Sequence, residues 1–162
     1  MAHAKIDEIR AHAESRYEAT LDRLKGYLTI PAISCDSDHC GDVKALCEKV
    51  KDDLAELGFD TARICSLDGA LPLVAAERMQ AGPDKPTVLI YGHLDLQPVK
   101  GEPWDTPPHE AVEKNGRLYA RGSADDMGGW VSHLAALEAW LAVNGELPLN
   151  VRLIIEGEEE IG

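Results

Sequence analysis

The sequence predicts an α/β protein, a three-layer α/β/α sandwich with a largely parallel sheet, and two patterns predict it. Stretches whose apolar residues recur at three- and four-residue steps alternate with short unbroken apolar runs, the mark of helices laid against buried strands. Three apolar runs, Val88–Tyr91, Leu118–Ala120 and Ile154–Ile155, are each followed closely by side chains that can bind a cation: His93 and Asp95, then Asp125 and Asp126, then Glu158 to Glu160. In open α/β sheets, ligands bind in the crevice at the carboxyl ends of the strands, so the two patterns support each other.

Taken in order, the first helix is expected from Ile6 to Leu28. There Ile6, Ile9, Ala13, Tyr17, Leu21, Leu24 and Leu28 make one apolar stripe, and Pro31 stops its continuation. Ile30–Ser34 reads as an extended connector. A second helix runs from about Asp42 to Leu57, with Val43, Leu46, Cys47, Val50, Leu54 and Leu57 on one face and Gly58 as its stop. Short strands near Thr61–Cys65 and Leu71–Ala76 flank Asp68-Gly69, and Val88–Tyr91 reads as a strand covered on both faces. A proline-rich loop, Gly101–Pro108, and a turn at Lys114-Asn115-Gly116 precede a strand near Arg117–Ala120. The third helix spans roughly Met127–Val143, with Trp130, Leu134, Leu137 and Leu141 inward and Asn144-Gly145 ending it, and the last strand is Leu149–Ile155. Nothing resembles a repeat, a low-complexity segment or a linker, so one domain is expected.

The chain has 162 residues, enough to bury one core. Its net charge of −13 argues against nucleic acid and anionic membranes as partners. Most of that charge reads as a solubilising acidic surface, and part of it clusters around the proposed site, where divalent cations would offset it. No run approaches the ~20 apolar residues of a membrane span, and charges from Lys5 onward leave no apolar signal core. Cys35, Cys40, Cys47 and Cys65 are unevenly spaced and are expected as reduced thiols in the cytoplasm. Cys35-x-x-x-His39-Cys40 has no second ligand pair at structural-zinc spacing and reads as an ordinary loop.

His93-Leu94-Asp95 places an imidazole and a carboxylate two residues apart, on the same side of an extended chain. A metal-bound histidine usually donates its other N–H to a carboxylate or carbonyl, although the motif alone also fits a packed or surface histidine. Asp125-Asp126 precedes a helix; a carboxylate there can bridge two cations or simply cap the helix. In Glu158-Glu159-Glu160, neighbouring carboxylates point in different directions. One can bind a cation while its neighbour takes a proton from water, and the plainer reading is a solvated acidic turn. Each ordinary reading is a separate accident, whereas a single metal site explains all three.

Tyr91-Gly92-His93-Leu94-Asp95, Trp104-Asp105-Thr106-Pro107-Pro108, the stretch Gly116 to Asp126 and the stretch Glu156 to Gly162 closely resemble the dinuclear-zinc peptidases and deacylases. That family includes carnosinase-type dipeptidases, aminoacylase, acetylornithine deacetylase and succinyl-diaminopimelate desuccinylase. The carnosinase-like branch fits best, through Asp125-Asp126 and the Trp-x-x-Pro-Pro loop. The resemblance implies that His93 binds one zinc, Asp125 bridges two, Glu160 binds the second, Asp95 orients His93 and Glu159 is the general base. It also implies a cis peptide bond between Asp125 and Asp126. Met127-Gly128 departs from the Lys-Gly or Met-Lys-Gly usual after the aspartate, so any role of that lysine is absent.

The implied reaction is metal-assisted hydrolysis of a peptide or N-acyl amide bond in a dipeptide or N-acyl amino acid. Two divalent cations are implied, zinc first, with manganese or cobalt compatible with the same donors. Residues 1–162 then correspond to the N-terminal portion of a catalytic domain. Two further ligands, a carboxylate and a histidine, and a lid domain that mediates homodimer contact are expected elsewhere. Such a portion is expected to expose apolar sheet surface. A non-catalytic interaction domain derived from the same fold, and a related zinc aminopeptidase, are the alternatives.

Overall fold

The computed structural model describes residues 5–161. Four helices, α1 (Ile6–Ser15), α2 (Tyr17–Leu28), α3 (Cys40–Glu56) and α4 (Met127–Asn144), accompany six strands among them. The strands are β1 (Thr61–Cys65), β2 (Leu73–Arg78), β3 (Thr87–His93), β4 (Val112–Lys114), β5 (Arg117–Tyr119) and β6 (Asn150–Glu156). The α/β class and nearly every element fall where the periodicity places them. The single helix expected over Ile6–Leu28 is instead two, parted at Arg16, whose N–H bonds back to the carbonyls of both His12 and Ala13. No glycine or proline marks that break.

The main sheet runs β1-β2-β6-β3, with β1–β2 and β2–β6 antiparallel and β3–β6 parallel. It is therefore mixed where a largely parallel sheet was expected. The short connection through Asp68-Gly69 can only return the chain antiparallel, whereas the long excursion through the β4–β5 hairpin and α4 supplies the crossover that a parallel pair needs. Asn115 and Gly116 both take positive φ, 54° and 71°, as a tight hairpin turn requires. Leu118-Tyr119-Ala120 thus belongs to a separate two-stranded hairpin. Asp125 reaches the site through the turns before α4 and not from the end of a main-sheet strand.

Burial alternates along β2 and β6: Val74, Ala76, Val151, Leu153 and Ile155 are buried, while Arg152 between them is exposed. The buried set faces α3, which packs on β1 and β2, and α4, which packs on β3; α1 and α2 stack on α4. The helices of the described residues cover this one face, and the second helical layer of the expected sandwich is not among them. On the opposite face Leu89 is 60% and Tyr91 54% exposed, so the described residues cover β3 on one side, where its apolar run suggested two. The helix ends are as expected, with Gly58 and Gly145 in the left-handed region at φ 83° and 78°. No helix of the described residues is long and apolar enough to cross a membrane.

This one-sidedness is testable by denaturation. Leu153→Ala, inside the core, is expected to cost about 2–5 kcal/mol. Leu89→Ala, on the open face, is expected to stay within about 0.5 kcal/mol. Comparable losses for both would mean that the two faces are equally packed.

Candidate metal centre

Three chain segments converge at the carboxyl ends of β3 and β6. The parallel register pairs His93 with Glu156, so the residues that follow each strand emerge side by side. Leu94 N–H donates to the Glu156 carbonyl at 2.8 Å and carries the ladder one step further. Asp95, fully buried, turns its carboxylate under the segment that follows β6, accepting the Glu159 N–H on Oδ1 at 3.1 Å and the Glu160 N–H on Oδ2 at 2.9 Å. The same residue touches His93, whose Nδ1 lies 3.2 Å from the Asp95 carbonyl oxygen and 3.5 Å from Oδ1. Asp95 therefore holds both sides of the site at once.

With Nδ1 directed at Asp95, His93 presents Nε2 outward, 3.1 Å from Asp125 Oδ1. Ligand atoms of His93, Glu159 and Glu160 lie within 4.8 Å of one another, close enough to share a cation. Asp125, its side chain 79% exposed, meets only the His93 side of that group. The peptide bond from Asp125 to Asp126 is cis. One imidazole and several carboxylates within this reach form a donor set that suits zinc, manganese or cobalt, so the residues present fit the cations that the sequence resemblance implies.

Electrostatics supports a cation here. Contact with Asp95, against the opposing effect of burial and with further help from Asp125, pushes the His93 imidazole up to about 9. At neutral pH without a metal the ring is thus positively charged. Burial alone would raise the Asp95 carboxyl, but His93 and the N–H donors of Glu160 and Glu159 outweigh it and hold the group below its usual value. A buried carboxylate so supplied with donors stays ionised.

One contributor was not singled out from sequence. Gln97 donates through Nε2 to Glu160 Oε2 at 2.7 Å and to its carbonyl at 3.2 Å, steadying the carboxylate from the side. The period-two spacing His93, Asp95, Gln97 is the signal that could have found it. Glu158, by contrast, leaves the cluster and accepts the Leu71 N–H at 2.8 Å. Asp126 begins α4 yet makes no side-chain cap bond to it.

An α/β scaffold that gathers an imidazole and carboxylates at its strand ends has the architecture of a metallohydrolase. Residues 89–162 match peptidase family M20/M25/M40, and the chain belongs to that family. A Cys-Gly metallodipeptidase of Candida albicans is 35% identical over 156 residues, covering 88% of this chain and 32% of that protein. The solved structure of human carnosine dipeptidase 1 superposes with a TM-score of 0.86 at 31% identity, covering 98% of this chain and 36% of that one. For the dipeptidase Dug1p of Saccharomyces cerevisiae the TM-score is 0.88 at 27% identity, with 100% and 36% covered. The chain spans about a third of the length of these relatives.

A pH dependence follows. The folded-state pKa of His93 lies above its unfolded value, about 9 against 6.5, so its stabilising contribution is complete below pH 6.5 and is lost as pH rises through 9. In the metal-free chain this loss should be on the order of a few kcal/mol, and His93→Gln should flatten it in denaturation curves taken across that window. Cation uptake must expel the same proton, so apparent affinity should rise with pH over the same range. A pH-independent affinity would take His93 out of the ligand set.

Proposed function

We propose that this chain supplies one side of a dinuclear metal site that hydrolyses the amide bond of a dipeptide. The observation that carries the reading is the convergence of His93, Glu159 and Glu160 over the buried Asp95 carboxylate. Membership of a peptidase family and the dipeptidase names of the relatives support it. N-acyl amino acids remain within the same chemistry.

His93 and Glu160 would each hold a cation, with Asp125, which meets His93, shared between the two. The cations are zinc in the first instance, with manganese and cobalt accepted by the same donors. When bound, they supply Lewis-acid polarisation of the scissile carbonyl and acidify the attacking water. Glu159 takes the proton of that water and delivers it to the leaving amine nitrogen. Its backbone is fixed by Asp95 while its side chain stays exposed, as a group that must exchange protons with substrate requires. Asp95 orients His93, and Gln97 holds Glu160 in place. One more ligand for each cation, and a homodimeric assembly, would have to be supplied from outside these residues. All four cysteines are free, which fits the reducing cytoplasm.

The test is dipeptide hydrolysis by the protein carrying this chain, before and after chelation and with divalent cation restored. Glu159→Ala should lower kcat about 100- to 10,000-fold with metal content largely intact. A variant that keeps most of its turnover would remove Glu159 from the proton-transfer role.

A further inference from the structure

The main chain of His93, and not only its ring, is gripped from the start of α4. Among the described residues β3 is the outermost strand of the sheet, paired on one side only, with β6. N–H and C=O groups of successive strand residues point alternately to the two edges. Leu94 N–H turns toward β6, so the N–H and C=O of His93 turn to the edge where no strand follows. Trp130 of α4 and Asp126 at its N-cap take the place of that strand. Trp130 Nε1 donates to the His93 carbonyl at 3.0 Å, and Asp126 Oδ2 accepts the His93 N–H at 3.4 Å.

The surroundings are shaped for this contact. A side chain at Gly92 would lie 2.8 Å from both Asp126 Oδ2 and Trp130 Cδ1, and one at Gly129 would collide with Asp126 Oδ1. Asp126 stands at the N-cap of α4 without capping it, so its carboxylate is committed to β3 and not to its own helix. Trp130 is buried and stacks on Tyr27 with ring centroids 5.4 Å apart. The Tyr27 hydroxyl in turn donates to Asp53 Oδ2 at 2.5 Å. A continuous set of contacts therefore runs from α3 through α2 and α4 to the backbone at His93.

We propose that Trp130 and Asp126 are positioning residues for the metal centre, clamping the main chain of His93 so that its imidazole meets Glu159 and Glu160 in a fixed geometry before a cation arrives. The inference rests on His93 being a ligand, and one experiment separates the two claims. Co2+ is titrated into the full chain and followed by visible absorption, alongside thermal unfolding of each metal-free variant. His93→Ala should abolish the wild-type spectrum. Trp130→Phe keeps an aromatic ring against Tyr27 and loses only the N–H donor; it should weaken Co2+ binding roughly 10- to 100-fold, the range for lost outer partners of metal ligands, and shift the absorption bands. Asp126→Ala should do the same, and Asp126→Asn, which retains an acceptor oxygen, should recover part of the loss. If His93→Ala leaves Co2+ binding unchanged, the ligand assignment falls and the clamp with it. If His93→Ala abolishes binding while folded Trp130→Phe and Asp126→Ala match wild type in affinity and spectrum, the clamp is overturned and the centre stands. Lower unfolding temperatures with unchanged Co2+ affinity would likewise reduce both residues to structural roles.

Discussion

The carboxylate of Asp95 is the joint on which the site depends. An ionised carboxylate taken out of water costs several kcal/mol unless donors replace its hydration. Here the replacements are the main-chain N–H groups of Glu159 and Glu160 and the imidazole of His93. Those donors belong to the two strand ends that carry the candidate ligands, so satisfying one buried charge also sets the geometry between them. The site is in this sense a by-product of solving a burial problem. Removing the carboxylate would leave the two N–H groups to find water in a place built to exclude it.

The parallel pairing of β3 and β6 makes such a joint possible. Only in a parallel pair do two strands end on the same side, and only there can His93 and Glu156 lie level and release their following residues into one crevice. The antiparallel strands β1 and β2 contribute no candidate ligand among the described residues; they extend the surface on which α3 packs. Their connection still reaches the site indirectly, because Leu71 N–H takes up Glu158. The exposed face of the sheet, with Leu89 and Tyr91 at its edge strand, adjoins the same crevice, since Tyr91 and His93 share a side of β3.

How much of this the sequence discloses depends on the range of the interaction. Helices α3 and α4 are legible because their periodicity is local and their stops, Gly58 and Gly145, need a left-handed backbone that glycine supplies. The candidate ligand residues stand out because three motifs in one order are hard to obtain by accident, and the fold brings His93, Glu159 and Glu160 together. Strand neighbours are not legible: nothing in Leu118-Tyr119-Ala120 says that it forms a hairpin apart from the main sheet, and an apolar run such as Val88–Tyr91 reads alike whether one face is covered or two. The break at Arg16 has no local marker either. Gln97, Trp130 and Asp126 escape for a different reason: their roles are contacts with main-chain and side-chain atoms 33 to 63 positions away, and pattern within a segment carries no information about such partners.

The acidic run after β6 shows why residue type alone could not assign roles. Glu156, Glu158, Glu159 and Glu160 are chemically identical, and the fold separates them by what each meets. Glu156 accepts the Tyr91 hydroxyl at 2.7 Å, and this bond, ahead of the neighbouring negative charges, pushes the phenol up to about 12, so Tyr91 remains a neutral donor. Glu158 is spent on the Leu71 main chain, and Glu160 is turned by Gln97 toward the cluster. Glu159 alone of the four accepts no hydrogen bond through its carboxylate among the described contacts, while its backbone is held by Asp95. A group that must pick up a proton and give it away is poorly served by a permanent donor, since each such bond stabilises the ionised form and weakens it as a base. With its backbone held by Asp95 and no hydrogen bond to its carboxylate among the described residues, Glu159 is the member of the run that suits the proton-transfer role proposed for it.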